Sequence, residues 1–215
     1  MLMQIVRLGI PSGLQQMIVS FSNVLVMSYV NRFGSAAIAG FSSANKFDNF
    51  LGLPVNSFML AITTFVGQNM GAKQIERVKK GINTCMFMGI GIVIAIGIPA
   101  YLFSDLCIRM FSQEADVIYY GSWMMRTLVP FYSILNIAQV LTGAVRGTGN
   151  TTVPMLINVF YYCIIRQVFL AVAMMFVNSI VVVFWSYPLT WTLSAVTLFI
   201  YYKRGSWLKH SGVRG

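Results

Sequence analysis

The chain falls into long, predominantly apolar runs, not into two-residue alternation or narrow helical stripes. Six such runs cover about Gly9 to Val30, Ala36 to Met70, Gly81 to Phe103, Val117 to Val145, Thr152 to Val177 and Ser179 to Tyr202. Each is long enough to cross a hydrocarbon core of ~30 Å as a helix. Polar punctuation separates them. Asn31-Arg32-Phe33-Gly34 and Arg146-Gly147-Thr148-Gly149-Asn150 read as tight turns, 71–80 as a basic loop and 104–116 as a polar connection. The pattern predicts an all-α integral membrane protein, a bundle of six transmembrane helices over 1–203, followed by a basic tail over 204–215. The first run is long and lacks a small-residue cleavage site, so no cleavable signal peptide is expected.

Composition strengthens this reading. Of 215 residues 57% are hydrophobic and 9% charged, against about 25% charged in soluble domains. The net charge of +10 would suggest nucleic acid in a soluble chain. Here the cations sit in the gaps between apolar runs, so a lipid bilayer is the expected partner, not nucleic acid. Arg7, Lys73, Arg77, Lys79, Lys80, Arg146, Lys203, Arg204, Lys209 and Arg214 fall on one side of a six-helix topology. Only Arg32 and Arg109 fall in the loops of the other side. The positive-inside rule then places both termini in the cytoplasm of a multi-pass protein of the cell membrane.

Polar groups within the runs are costly in lipid, so they are expected to face the bundle interior or a wet cavity. Ser12, Gln16, Ser20 and Asn23 share one face of the first helix, and Asn45, Asn49, Asn56 and Thr63 lie near one face of the second. Asn136 and Gln139 add to the set from the fourth. Two readings stand for these stripes: hydrogen bonds between packed helices, or the wall of a solvated cavity. Pro54, Pro130 and Pro188 interrupt three of the helices and free backbone carbonyls that need partners.

Asp48 is the carboxylate nearest mid-membrane, about 18 Å into the second helix. It can carry a proton whose release is linked to the arrival of a cationic substrate, or it can form a permanent ion pair. Arg166, midway along the fifth helix, and Lys46 of a neighbouring chain are the candidate partners. Lys46 of the same helix is two residues away and points elsewhere.

No catalytic constellation accompanies these groups, so no enzyme activity is expected. The single histidine, His210, is in the tail, and Cys85, Cys107 and Cys163 lack metal-ligand spacing. Neither a metal nor an organic cofactor is expected.

Three segments carry a family resemblance. Leu8-Gly9-Ile10-Pro11-Ser12-Gly13-Leu14-Gln15 opens the first helix. Thr63-Thr64-Phe65-Val66-Gly67-Gln68-Asn69-Met70-Gly71-Ala72 closes the second, before a basic loop. Leu141-Thr142-Gly143-Ala144-Val145-Arg146-Gly147-Thr148-Gly149-Asn150-Thr151-Thr152-Val153-Pro154 joins the fourth and fifth. In order and spacing they resemble the C-terminal half of multidrug and toxic compound extrusion (MATE) transporters. The resemblance implies an antiporter exchanging H⁺ or Na⁺ for organic, often cationic, compounds, held between two six-helix lobes. This chain would be one lobe, completed by a missing N-terminal lobe or by a second copy of itself. Some Na⁺-coupled members have acidic residues at the positions of Val19 and Asn136, which argues against such a Na⁺ site here. The polar positions within the runs, Gln16, Ser20, Asn23, Asn45, Asp48, Asn49, Asn136 and Gln139, are the candidate substrate or ion pathway. The alternatives are a lipid-linked saccharide flippase, which Lys46 and Arg166 keep open, and a truncated, non-transporting remnant.

Overall fold

The computed structural model describes residues 2–205 and Trp207, with side chains from Gly9 onward. Helix α1 (Leu2–Val30) leads through a 3₁₀ turn at Asn31–Phe33 into α2 (Ser35–Gly71). Helix α3 (Ile75–Leu102) follows, then a short α4 (Ser104–Arg109). α5 (Ala115–Leu128) and α6 (Tyr132–Gly147) form one rod, jointed by a 3₁₀ turn at Val129–Phe131 where Pro130 removes a donor. α7 (Thr152–Val159) and α8 (Arg166–Phe176) form another, jointed by a π-helical turn at Phe160–Ile165. α9 (Ile180–Lys203) closes the bundle. Among the described residues there is no strand.

Several expected boundaries move. α3 begins at Ile75, so most of the expected 71–80 loop is helical, its first turns carrying the exposed Lys79–Glu76 ion pair at 2.8 Å. The turn before it is short because Lys73 takes a positive φ of 58°. The 104–116 connection contains α4, anchored where Arg126 donates to Ser104 Oγ at 2.8 Å and pairs with Asp105 at 2.9 Å. The tail 204–215 lies outside the described residues except for Arg204, Gly205 and Trp207. Trp207 is buried, stacked on Tyr202, and donates to that residue's carbonyl.

The surface is apolar where a soluble protein's would be polar. Met17, Phe21, Phe87, Leu102 and Met175 are all more than 60% exposed, a pattern that places the bundle in lipid. Among the described residues, five rods are long and apolar enough to span: Ser35–Gly71, Ile75–Leu102, Ala115–Gly147, Thr152–Phe176 and Ile180–Lys203. The sixth, α1, has the length but is diluted by Gln15, Gln16, Ser20, Ser22 and Asn23.

Small residues and polar glue hold the rods together, as expected where lipid removes the hydrophobic drive between helices. α6 is central, packed on α2, α3 and α9. Gly143 and Gly147 let its backbone lie directly on α2, and Thr63 Oγ1 donates across the seam to Gly143 O at 3.1 Å. Asn158 of α7 donates to Thr142 Oγ1 at 3.3 Å and accepts from Ser194 Oγ at 2.9 Å, tying α6, α7 and α9. α1 packs most on α7 and less on the π-turn, α2 and α9. Ser22 Oγ donates to Tyr162 O at 2.9 Å, a carbonyl within that turn.

Candidate functional site

The gap between α1 and α2 is a cavity of about 250 Å³, floored by α6 and α9. It sits at the depth where the regular helices break. α2 contributes Asp48, Asn49, Gly52 and Asn56 around Pro54, and α6 contributes Tyr132 and Gln139 just past the Pro130 turn. Tyr162 and Arg166 come from the π-turn and its exit, and Tyr187 and Trp191 flank Pro188. Proline and π-turns redirect side chains and leave backbone groups that packing alone does not need. Four coinciding breaks therefore build a polar chamber inside an apolar bundle.

Two ionisable groups dominate it. Tyr132 donates its phenolic proton to Asp48 Oδ1 and, at 3.2 Å, to the Asp48 carbonyl. Arg166 is 3% exposed, donates to Asn23 Oδ1 and Thr190 Oγ1 at 3.2 Å each, and lies 4.3 Å from the Tyr187 ring centre. Its Nε has no hydrogen-bond partner among the described residues. The ion pairs among the described residues are Lys79–Glu76 and Arg126–Asp105, so Asp48 and Arg166 share the cavity without a direct bridge.

The structure sorts the residues singled out from sequence. Gln16, Asn23, Asp48, Asn49, Gln139 and Arg166 line the cavity; Ser20 and Asn45 lie outside it. Asn136 is fully buried against α3, close to Gly89, and donates to Met86 O at 3.3 Å; its Oδ1 has no hydrogen-bond partner among the described residues. It belongs to the α3–α6 contact, because Gln139, three residues on, is rotated roughly 60° around the helix toward the cavity. Lys46 is exposed and rests its ammonium 4.7 Å from the Phe111 ring centre, away from Asp48. Thr63, read as part of the α2 stripe, serves the α2–α6 seam.

Sequence reasoning missed the aromatic half of the chamber: Tyr132, Tyr162, Tyr187 and Trp191. In a chain that is 14% aromatic these residues carry no compositional signal. Their positions within one turn of Pro130, the π-turn and Pro188 are the clue that was present, although nothing in the sequence announces the π-turn.

Comparison with known proteins follows the same lines. The family model described as MatE matches residues 11–172. The chain is 26% identical over 203 residues to "Probable multidrug resistance protein YpnP" of Bacillus subtilis (strain 168), covering 94% of this chain and 45% of that protein. It is 28% identical over 160 residues to "Probable multidrug resistance protein NorM" of Thermotoga maritima, covering 72% and 33%. It is 22% identical over 148 residues to the "FAD transporter" of Shewanella oneidensis, covering 69% and 33%. Its fold matches a solved structure of MATE in complex with MaL6, with a TM-score of 0.89 over 99% of this chain and 48% of that one, at 18% identity. The chain thus spans half or less of the length of the relatives it matches. A family model that runs from Pro11, at the opening of the first spanning segment, to Val172 in α8 places the chain in the MatE family, whose members are transporters and not enzymes.

Proposed function

We propose that this chain is one six-helix half of a secondary active efflux transporter of the cell membrane. It exchanges an ion for an organic compound, with both termini in the cytoplasm and the opposing lobe supplied by another chain or a second copy. The observation that carries the reading is the chamber at the level of the helix breaks, with Asp48 held by Tyr132 on one wall and Arg166 on the other. Transport folds place substrate and coupling-ion sites where interrupted helices meet near mid-membrane, and alternate access by moving one repeat against another. H⁺ is the favoured coupling ion, because Asp48 is the one carboxylate among the cavity-lining residues.

The chamber's buried cation supports a second reading, in which the exported compound is anionic, as in a lipid-linked saccharide flippase. The likeness to a protein named as an FAD transporter points the same way.

Asp48→Asn keeps the shape and removes the titration. Transport by the functional assembly, driven by a pH gradient, is expected to be lost while expression stays normal; unchanged pH-driven transport eliminates Asp48 as the proton carrier. Reporter fusions to the two ends check the orientation, with cytoplasmic signal expected from both. An external signal from the C-terminal fusion contradicts the six-span topology.

A further inference from the structure

A second cavity, sharing no residue with the first, opens on the outer face of the bundle between α2 and α3. Its volume is about 530 Å³. Below the cations its walls are largely apolar: Phe58, Ala61 and Phe65 from α2, and Cys85 and Met88 from α3, with Thr84 the one polar side chain there. The wall exists because residue 81 is glycine. A Cβ there would collide with the Phe65 ring, which lies across the α3 backbone. At one end of the groove stand Arg77 and Lys80, both exposed, in the first two turns of α3. No carboxylate lines the groove. The nearest acid, Glu76, is taken by Lys79, whose ammonium is 2.8 Å from it and which does not line the groove. Among the described residues Arg77 donates to the neutral Gln74, at 3.3 Å, and forms no ion pair.

We infer that this groove binds an anionic phospholipid, its phosphate between Arg77 and Lys80 and one acyl chain along Gly81, Cys85 and Met88. Three observations fix the occupant. The groove opens on the apolar face of a membrane bundle, so lipid is the molecule present there. Eight residues of helix separate Lys80 from Met88, about 12 Å, which carries the groove from the headgroup level well into the hydrocarbon. Neither cation forms an ion pair among the described residues, Lys80 feeling Glu76 only at a distance, so an anionic headgroup completes them, whereas a zwitterionic one brings a cation of its own. Lys79, neutralised by Glu76, has no part in the site.

The test is native mass spectrometry of the purified chain released from detergent with phosphatidylglycerol or phosphatidylcholine of identical acyl chains. Wild-type chain is expected to retain phosphatidylglycerol about tenfold more than phosphatidylcholine, on the scale of two cations meeting an anionic headgroup. The double variant Arg77→Gln/Lys80→Gln is expected to lose that preference, and Lys79→Gln to keep it. Ala61→Trp, which fills the groove below the cations, is expected to reduce retention of both lipids. Melting in detergent verifies that each variant is folded. Equal retention of both lipids by wild type, or a preference that survives the double variant, overturns the proposal. So does competition by soluble glycerol phosphate as strong as by the intact lipid, since that would make the site one for free phosphate.

Discussion

Two glycine pairs with the same four-residue spacing meet opposite fates in this bundle. Gly143 and Gly147 of α6 press on α2. A Cβ at Gly147 would stand 2.6 Å from Thr63 O, and one at Gly143 would meet Met59 O, both backbone atoms of a neighbouring rod. A Cβ at Gly9 or Gly13 of α1 would meet nothing within 4 Å among the described residues. The spacing alone therefore reports only that close approach is permitted. On the α2–α6 side the approach is made and sealed by Thr63. On the α1 side it is left unused within this lobe, next to the cavity that opens between α1 and α2. A rigid seam and an open cleft in one bundle are what the proposed half-transporter needs if it moves as a body while its cleft faces a partner.

The sharpest way to break the comparison is to add side chains. Gly143→Val is expected to cost about 3 kcal/mol or more, because two helix backbones must part, and to lower the melting temperature in detergent clearly. Gly147→Ala follows the same direction with a smaller drop. Arg166→Lys probes the cleft wall. The planar guanidinium bridges Asn23 and Thr190 and stacks on Tyr187, and a lysine cannot reproduce that fork. The expected loss is roughly 1–3 kcal/mol by the same melting assay. Last, Gly9→Ala and Gly13→Ala are expected to leave the melting temperature of the isolated chain within about 0.5 kcal/mol of wild type or slightly above it. A large destabilisation at Gly9 or Gly13, or none at Gly143, would remove the distinction between seam and cleft.

The fold was legible because its determinants are long-range in length but local in kind: apolar runs, basic loops and turn dipeptides. The displaced boundaries have local causes too. α3 starts early because Glu76 and Lys79 can pair at i, i+3 on its exposed first turns, which hydropathy counts as loop. The cleft was partly legible. Gln16, Asn23 and Asn49 announced themselves as polar groups on shared helix faces, and Asp48 as the carboxylate nearest mid-membrane. Asn136 shows the limit of that reasoning, since an amide facing a glycine on the next helix looks the same in sequence as one facing water. Asn158, Thr142 and Ser194 went unremarked for the converse reason, being isolated in sequence and joined only by tertiary packing. The π-turn was invisible, and with it the reason Arg166 and Tyr162 reach the same chamber.

The central claim is that the cleft between α1 and α2 is a water-accessible pathway rather than a packed polar contact. With Cys85, Cys107 and Cys163 replaced by alanine, the measurement is the reaction rate of single cysteines with a membrane-impermeant maleimide. Gln16→Cys, Asn49→Cys and Gln139→Cys sample the cavity, Asn136→Cys and Asn158→Cys the packed interior, and Ala72→Cys the exposed turn. The account predicts cavity rates close to that of the turn and interior rates near zero. Cavity cysteines as unreactive as those at Asn136 and Asn158 would contradict it.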